Sequence, residues 1–216
     1  MNWDWSFALQ AAPQIAAGMG ITLISTGIGS LTAIILGLVF ALLVRSRVIL
    51  IRVPTRVVVD FIRGTPLLVQ LFAIFYILPD IGILLQPLVA GVIGLGIHYA
   101  AYLSEVYRAG IDNIPLGQWE AGTAANLTRW QVMRYVILPQ AIPVMLPTIG
   151  NYILSMFKET PLLSVITVVE MMSIAGGIST TTYRFLEPIT IVGFYFLLLS
   201  LPCAMALQRM ERWVKS

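Results

Sequence analysis

Charge is what this chain has least of. Of 216 residues, 13 are Lys or Arg and 10 are Asp or Glu, 11% together, while 58% are hydrophobic. Soluble domains carry about 25% charged residues. A water-soluble domain of this length has no use for so much apolar surface, so the composition points to an all-α polytopic membrane protein. Cysteine and histidine are almost missing. The lone Cys203 can form no intrachain disulfide and has no Cys or His beside it for a metal site, so a buried, inert role is expected. His98 is the single histidine, and helix packing is its expected role. There is no Gly-x4-Gly-Lys-Ser/Thr phosphate loop, no His-Glu-x-x-His metal motif and no recognisable Ser–base pair. ATP hydrolysis, metalloprotease and serine protease chemistry therefore find no support, and no cofactor is expected. No Lys or Arg precedes Arg45, which argues against a cleavable signal peptide. No internal repeat or linker divides residues 1–216, which read as a single domain.

What is abundant is apolar sequence in long runs. Segments at about 14–44, 65–79, 86–107, 135–157 and 188–207 are candidate spans, set against the roughly 20 residues needed to cross a bilayer. The first is long enough to require tilt or an interfacial start. Stretch 161–178 is also apolar, but its Ser, Thr, Gly and Met content and Glu170 suit a re-entrant or surface segment.

The few basic residues test this count. Segments 45–63 and 108–134 and the C-terminal tail hold eleven of the thirteen Lys and Arg, leaving Lys158 and Arg184 on the other side. Basic residues favour the cytoplasmic face, so the N-terminus is expected outside and the C-terminus inside, as an odd number of spans requires. Their placement at span ends also removes any reason to read the +3 net charge as a nucleic-acid footprint. Trp3, Trp5 and Phe7 fit an outer segment at the membrane interface.

The polar loop 112–134, between the third and fourth spans, carries the most information. It leads into residues 120–139, EAGTAANLTRWQVMRYVILP. Pro115 suits the first turn of a helix. Small side chains at Ala121, Gly122, Ala124 and Ala125 would let a partner approach closely. Glu120 has two readings, a contact for basic groups on a partner or a stabiliser of its own helix dipole.

Glu120-Ala121, Asn126 and Leu138-Pro139 resemble the EAA loop of bacterial ABC importer permeases. Gly122 stands where that loop has a second Ala, and Asn126 where it usually has Gly, which implies a left-handed helix end that Asn accepts better than other non-glycine residues. Further matches are Arg63-Gly64-Thr65-Pro66-Leu67-Leu68-Val69-Gln70, Ser104-Glu105-Val106-Tyr107-Arg108-Ala109-Gly110, Gly117-Gln118-Trp119-Glu120 and Lys158-Glu159-Thr160-Pro161-Leu162. Together they resemble the polar amino acid importer permeases of the histidine, glutamine and arginine type, over about 15–210; the ectoine branch is compatible. Pro161 departs from a frequent Ser.

The resemblance implies a five-helix type I importer permease of the bacterial inner membrane with a cytoplasmic coupling helix, contacting its ATPase through Gly117, Glu120, Ala121, Gly122, Asn126, Leu138 and Pro139. It also implies a cytoplasmic ATP-binding subunit dimer, a second permease subunit and an extracytoplasmic solute-binding protein. The cargo would be a small polar zwitterion, an amino acid or a compatible solute. An ion-coupled secondary transporter is the alternative, weakened by the missing repeat and the few central charges.

Polar residues at membrane depth are the pathway candidates. Pro139, Pro143, Pro147, Asn151 and Ser155 recur every four residues. Interior prolines free carbonyls that lipid cannot satisfy, so this face should look into protein or a water path. Asn151 and Ser155 serve either the pathway or packing. Lys158 and Glu159, expected at the outer end of their span, serve as a gate or an interfacial pair. Gln70 is a further candidate. Glu105 and Arg108, three apart, suit a local ion pair. Fixed charge is thus expected mainly at span ends, with a neutral polar pathway between them.

Overall fold

Small residues decide how the longest helices meet. In α2 (Met19–Val44) Gly29, Ala33, Gly37 and Ala41 recur every four residues and all are buried. In α5 (Pro87–Asp112) Gly94, Gly96, Ala100 and Ala101 are buried in turn. A Cβ on Gly96 would come within 2.8 Å of Thr32 Cβ, and one on Gly37 within 3.0 Å of the Ala100 carbonyl oxygen. Lipid tails offer helices no hydrophobic drive to associate, so close backbone approach supplies the attraction. The α2–α5 pair is the most extensive helix contact in the molecule.

The computed structural model describes residues 3–215 and shows no strand among them; Met1 and Asn2 of the expected outer segment, and Ser216, lie outside. The remaining helices are α1 (Trp5–Ala17), α3 (Ile49–Gly64), α4 (Leu67–Phe72), α6 (Leu116–Ala124), α7 (Arg129–Val132), α8 (Leu138–Glu159), α9 (Met171–Thr182) and α10 (Leu186–Lys215). Stretches Trp5–Val44, Pro87–Asp112, Arg129–Ile166 and Leu186–Trp213 are long and apolar enough to cross a membrane, and a bent pair, Ile49–Gly64 with Leu67–Ile81, makes a fifth candidate.

Three boundaries differ from the sequence pattern. The first helical stretch begins at Trp5 rather than near 14, because α1 buries Ala8, Ala11 and Ile15 against Met171 and Ala175 of α9 and Ile191 and Val192 of α10. Gly18, between α1 and α2, makes that docking possible, since a Cβ there would lie 2.6 Å from the backbone nitrogen of Met171. The basic segment 45–63 is largely helical, as α3. The second span is not straight: it turns through 108° between α3 and the helical stretch Leu67–Ile81. Pro66 causes the turn. It lacks an N–H and drives Thr65 to extended backbone (φ −112°, ψ 141°).

Stretch 161–178 divides: residues 161–166 continue the apolar stretch Arg129–Ile166, and only the remainder suits a segment that does not cross. A 3₁₀ turn, Thr160–Ile166, is followed by the 12-residue α9, only about 18 Å long and too short to cross. Cys203 is a correction. It is exposed, and it lines an apolar cleft with Leu23 of α2, Ile153 of α8 and Leu199 of α10. An apolar run does not distinguish the bundle-facing side of a membrane helix from its outward side.

Polar contacts mark two opposite ends of the bundle. At one, Arg184 Nη1 donates to Asp4 Oδ2 (3.3 Å) and the Asp4 N–H donates to Glu187 Oε1 (3.1 Å). At the other, Arg45 pairs with Asp112, and Asn151 Nδ2 donates to Glu211 Oε1 (3.2 Å). Trp3 and the C-terminal end of α10 therefore lie at opposite ends.

Candidate functional site: an exposed helical hairpin and a charged cleft

The end bearing Arg45 and Asp112 carries the loop 112–134. α6 begins after Pro115 and closes with paired bonds from Asn126 N–H to Thr123 O (3.0 Å) and Leu127 N–H to Gly122 O (3.1 Å). This is a Schellman closure. Asn126 has φ +56°, the left-handed conformation its identity suggested. Thr128 then caps α7 in a capping box with Gln131, a T-x-x-Q signal present in the sequence and missed there.

Glu120 and Ala121 are exposed on α6, as are Gly117, Thr123 and Ala124. Trp119, Glu120, Thr123 and Ala124 border an open groove. Gly122 differs from the others. It is buried, and a Cβ there would meet Val132 Cγ2 at 2.7 Å. Its smallness serves the closure of α6 on α7 rather than the outer surface. Residues 133–137 form a π-turn ahead of Leu138 and Pro139. Pro139 has no N–H to give, and Gln140 Nε2 donates to the Val136 carbonyl (2.6 Å) and to Gln118 Oε1 (3.2 Å), tying α8 to α6.

The second feature lies at mid-depth. Arg63, Gly64, Thr65, Pro66 and Leu67 at the bend, His98 and Tyr102 of α5, and Glu159 with Leu162 border one cleft of about 440 Å³. α5 is 26 residues long, about 39 Å at the helical rise, and His98 and Tyr102 fall near its middle. Tyr99 O–H donates to Glu159 Oε2 (2.8 Å) and Tyr102 O–H to the Arg63 carbonyl (3.3 Å). The Arg63 guanidinium carbon lies 5.6 Å from the Tyr102 ring centroid, within cation–π range. The His98 and Tyr102 rings are 5.2 Å apart, and Tyr102 and Tyr152 5.6 Å. The cleft thus has an aromatic wall, one cation and one anion. Among the described residues Glu159 makes no ion pair, and Arg63 reaches Asp60 at 3.9 Å and Glu105 at 4.0 Å.

This moves Lys158 and Glu159 from their expected place. Met145 packs on Gly110, two residues from the Asp112 end of α5. The first turns of α8 therefore belong to that end, and Glu159 reaches only the level of Tyr99. Glu159 turns to the cleft, whereas Lys158 is exposed. Fixed charge is not confined to the span ends either, since Arg63 and Glu159 both border this cleft at mid-depth.

Gln70 has a structural task. Its amide donates to Ile62 O (2.7 Å) and Thr65 Oγ1 (2.7 Å), and its Oε1 sits 3.1 Å from His98 Nδ1. It satisfies a carbonyl freed at the bend and ties the bend to α5. His98 therefore both packs and borders the cleft. Asn151 is exposed beside Glu211, and Ser155 is half-buried; neither borders the charged cleft.

Comparison with known proteins agrees with this architecture. The chain is 41% identical to a probable amino-acid ABC transporter permease of Sinorhizobium fredii over 200 residues, 93% of this chain and 87% of that one. It is 36% identical to the L-cystine transport system permease TcyB of Bacillus subtilis (97% and 92% covered) and 34% identical to the glutamine transport system permease GlnP of Escherichia coli (100% and 99%). A solved structure described as an amino acid ABC transporter with histidines superposes with a TM-score of 0.93 at 35% identity, covering 98% of this chain and 99% of that one. An inward-facing methionine ABC transporter, MetNI, shares the fold (TM-score 0.75, 19% identity, 93% and 96% covered). The family model for the binding-protein-dependent transport system inner membrane component matches residues 33–216, and the chain belongs to that family.

Proposed function

We propose that this chain is the permease subunit of an ATP-driven importer that carries a small zwitterionic amino acid into the cytoplasm. The observation that carries this is the mid-depth cleft with Arg63 on one side and Glu159 on another. A guanidinium suits a carboxylate and a carboxylate suits an ammonium group, so the pair matches the two charges every α-amino acid carries. The relatives' amino-acid cargoes favour this over ectoine, whose delocalised cation places a different demand on Glu159 than a primary ammonium group does.

ATP hydrolysis falls to a separate cytoplasmic subunit dimer. The exposed Glu120 and Ala121 of α6 supply its docking surface, with Gly117, Leu138 and Pro139 nearby and Asn126 and Gly122 shaping the hairpin. A solute-binding protein delivers cargo to the opposite face, and a second permease, identical or related, completes the pore. Lys158 serves the pathway only indirectly, Asn151 holds Glu211 of α10, and Ser155 acts as a packing residue.

The test is uptake by the assembled transporter in liposomes. Arg63→Gln and Glu159→Gln should each cut amino-acid uptake by about tenfold or more, the scale of one lost charge-assisted contact, with the complex still assembled. Normal uptake by both variants would remove the cleft from the pathway. Uptake by this chain alone, driven by an ion gradient, would transfer the case to a secondary transporter.

A further inference from the structure

Glu105 sits where two arginines meet. Arg108, one turn further along α5, makes a short contact with its Oε2. Arg63 reaches its other oxygen, Oε1, at 4.0 Å. Arg108 has a second anion in Asp112 at 3.8 Å, and Asp112 in turn takes Arg45. Arg63 is thus the loosely held cation of the cluster: its two carboxylates lie at 3.9 and 4.0 Å, beyond hydrogen-bonding distance. It is also the one that borders the cleft. Glu105 and Arg63 are partly shielded, with side chains 27% and 36% exposed, so bulk solvent screens their interaction only in part.

We propose that Glu105 is a positioning residue that competes with the solute's carboxylate for Arg63, and that Arg108 sets how strongly it competes. The proposal rests on the reading of the cleft as the solute site. With the cleft empty, Glu105 and Asp60 hold the guanidinium beside the Tyr102 ring instead of leaving it to wander. When a carboxylate arrives, Arg63 exchanges a long contact for a bidentate one. Glu105 is not stranded by the exchange, because Arg108 remains in short contact with it. Capture is therefore favourable but not tight. A transport site needs both properties, since a solute that binds too well does not leave.

Two isosteric or near-isosteric variants should then act in opposite directions. Glu105→Gln keeps the shape and removes the competitor, so solute should bind more tightly. Arg108→Gln removes the main partner of Glu105, which turns to Arg63, so solute should bind more weakly. Damage to the fold would weaken binding in both.

The experiment measures equilibrium binding of radiolabelled L-glutamine, L-histidine, L-arginine and L-cystine to the permease assembled with its ATPase partner in nanodiscs. No solute-binding protein is added, so the membrane site alone is read. For each amino acid that the wild-type complex binds, Kd should fall about fivefold in Glu105→Gln and rise about fivefold in Arg108→Gln, the scale of a partly screened ion pair. Arg63→Gln should raise Kd about tenfold or more, and adding Glu105→Gln to it should change little further. Shifts of the same sign in the two single variants, or no shift in either, would overturn the role of Glu105 while leaving the cleft reading intact. Binding unaffected by Arg63→Gln, or failure of the wild-type complex to bind any of the four, would overturn the cleft reading itself.

Discussion

Asn126 shows how one residue can be read from sequence down to a dihedral angle. Its side chain is short and polar, which lowers the steric cost of the left-handed region, and it stands just past a run of helix-compatible residues. The structure gives it φ +56°. Thr167 has φ +65° with a β-branched side chain, and nothing in its local sequence announces this. It closes the 3₁₀ helix Thr160–Ile166 with paired bonds, Thr167 N–H to Ser164 O (3.1 Å) and Val168 N–H to Leu163 O (3.2 Å), as Asn126 closes α6. The two positions should respond differently to glycine. Asn126→Gly should leave the thermal midpoint of the purified subunit almost unchanged, whereas Thr167→Gly should raise it. Asn126→Val should lower stability by about 1–2 kcal/mol, measured as a fall in that midpoint. Equal tolerance of Val and Gly at 126 would mean that the hairpin does not depend on this closure.

At the scale of elements, local signals were legible and assembled ones were not. α6 could be placed because Pro115, the small residues and Asn126 lie within a dozen positions of one another. The spans could be placed because lipid forces backbone groups to bond within the helix. The charged cleft joins residues 63–67, 98–102 and 159–162 from three separate stretches, and no periodicity relates them. The depth of Glu159 is hidden in the sequence for the same reason: the apolar run 135–157 looks like a complete crossing, and only the packing of Met145 on Gly110 shows where the crossing begins. The exposed face of α6 supports a prediction at this scale. Glu120→Lys reverses its charge and Ala121→Trp adds bulk on the surface side. Both should insert and fold normally yet fail to co-purify the ATPase subunit or to couple its hydrolysis to uptake. Full uptake by both variants would show that docking lies elsewhere. Gly122→Ala is a control of a different kind, because its Cβ would press on Val132 and weaken the hairpin from within.

The whole molecule is asymmetric in charge along its long axis, and that asymmetry predicts its orientation. At one end stand Arg45, Arg108, Asp112 and the loop bearing Arg129 and Arg134; α10 also delivers Arg209 and Arg212 there. At the other end Arg184 is balanced by Asp4 and Glu187. Insertion retains Lys- and Arg-rich loops in the cytoplasm, so the α6 end should face inward, where an ATPase has its nucleotide. Exposed positions at the two ends allow a direct measurement. In a Cys203→Ser background, needed because Cys203 is itself exposed, single cysteines at Gly117 in α6 and Thr181 at the end of α9 disturb little. Gly117 has open space around it, and the Thr181 hydroxyl bonds only to its own helix backbone. In intact cells a membrane-impermeant maleimide should label the Thr181 variant, and it should reach the Gly117 variant only after the membrane is opened. Labelling of both variants in intact cells would place α6 outside and remove it from any contact with a cytoplasmic ATPase.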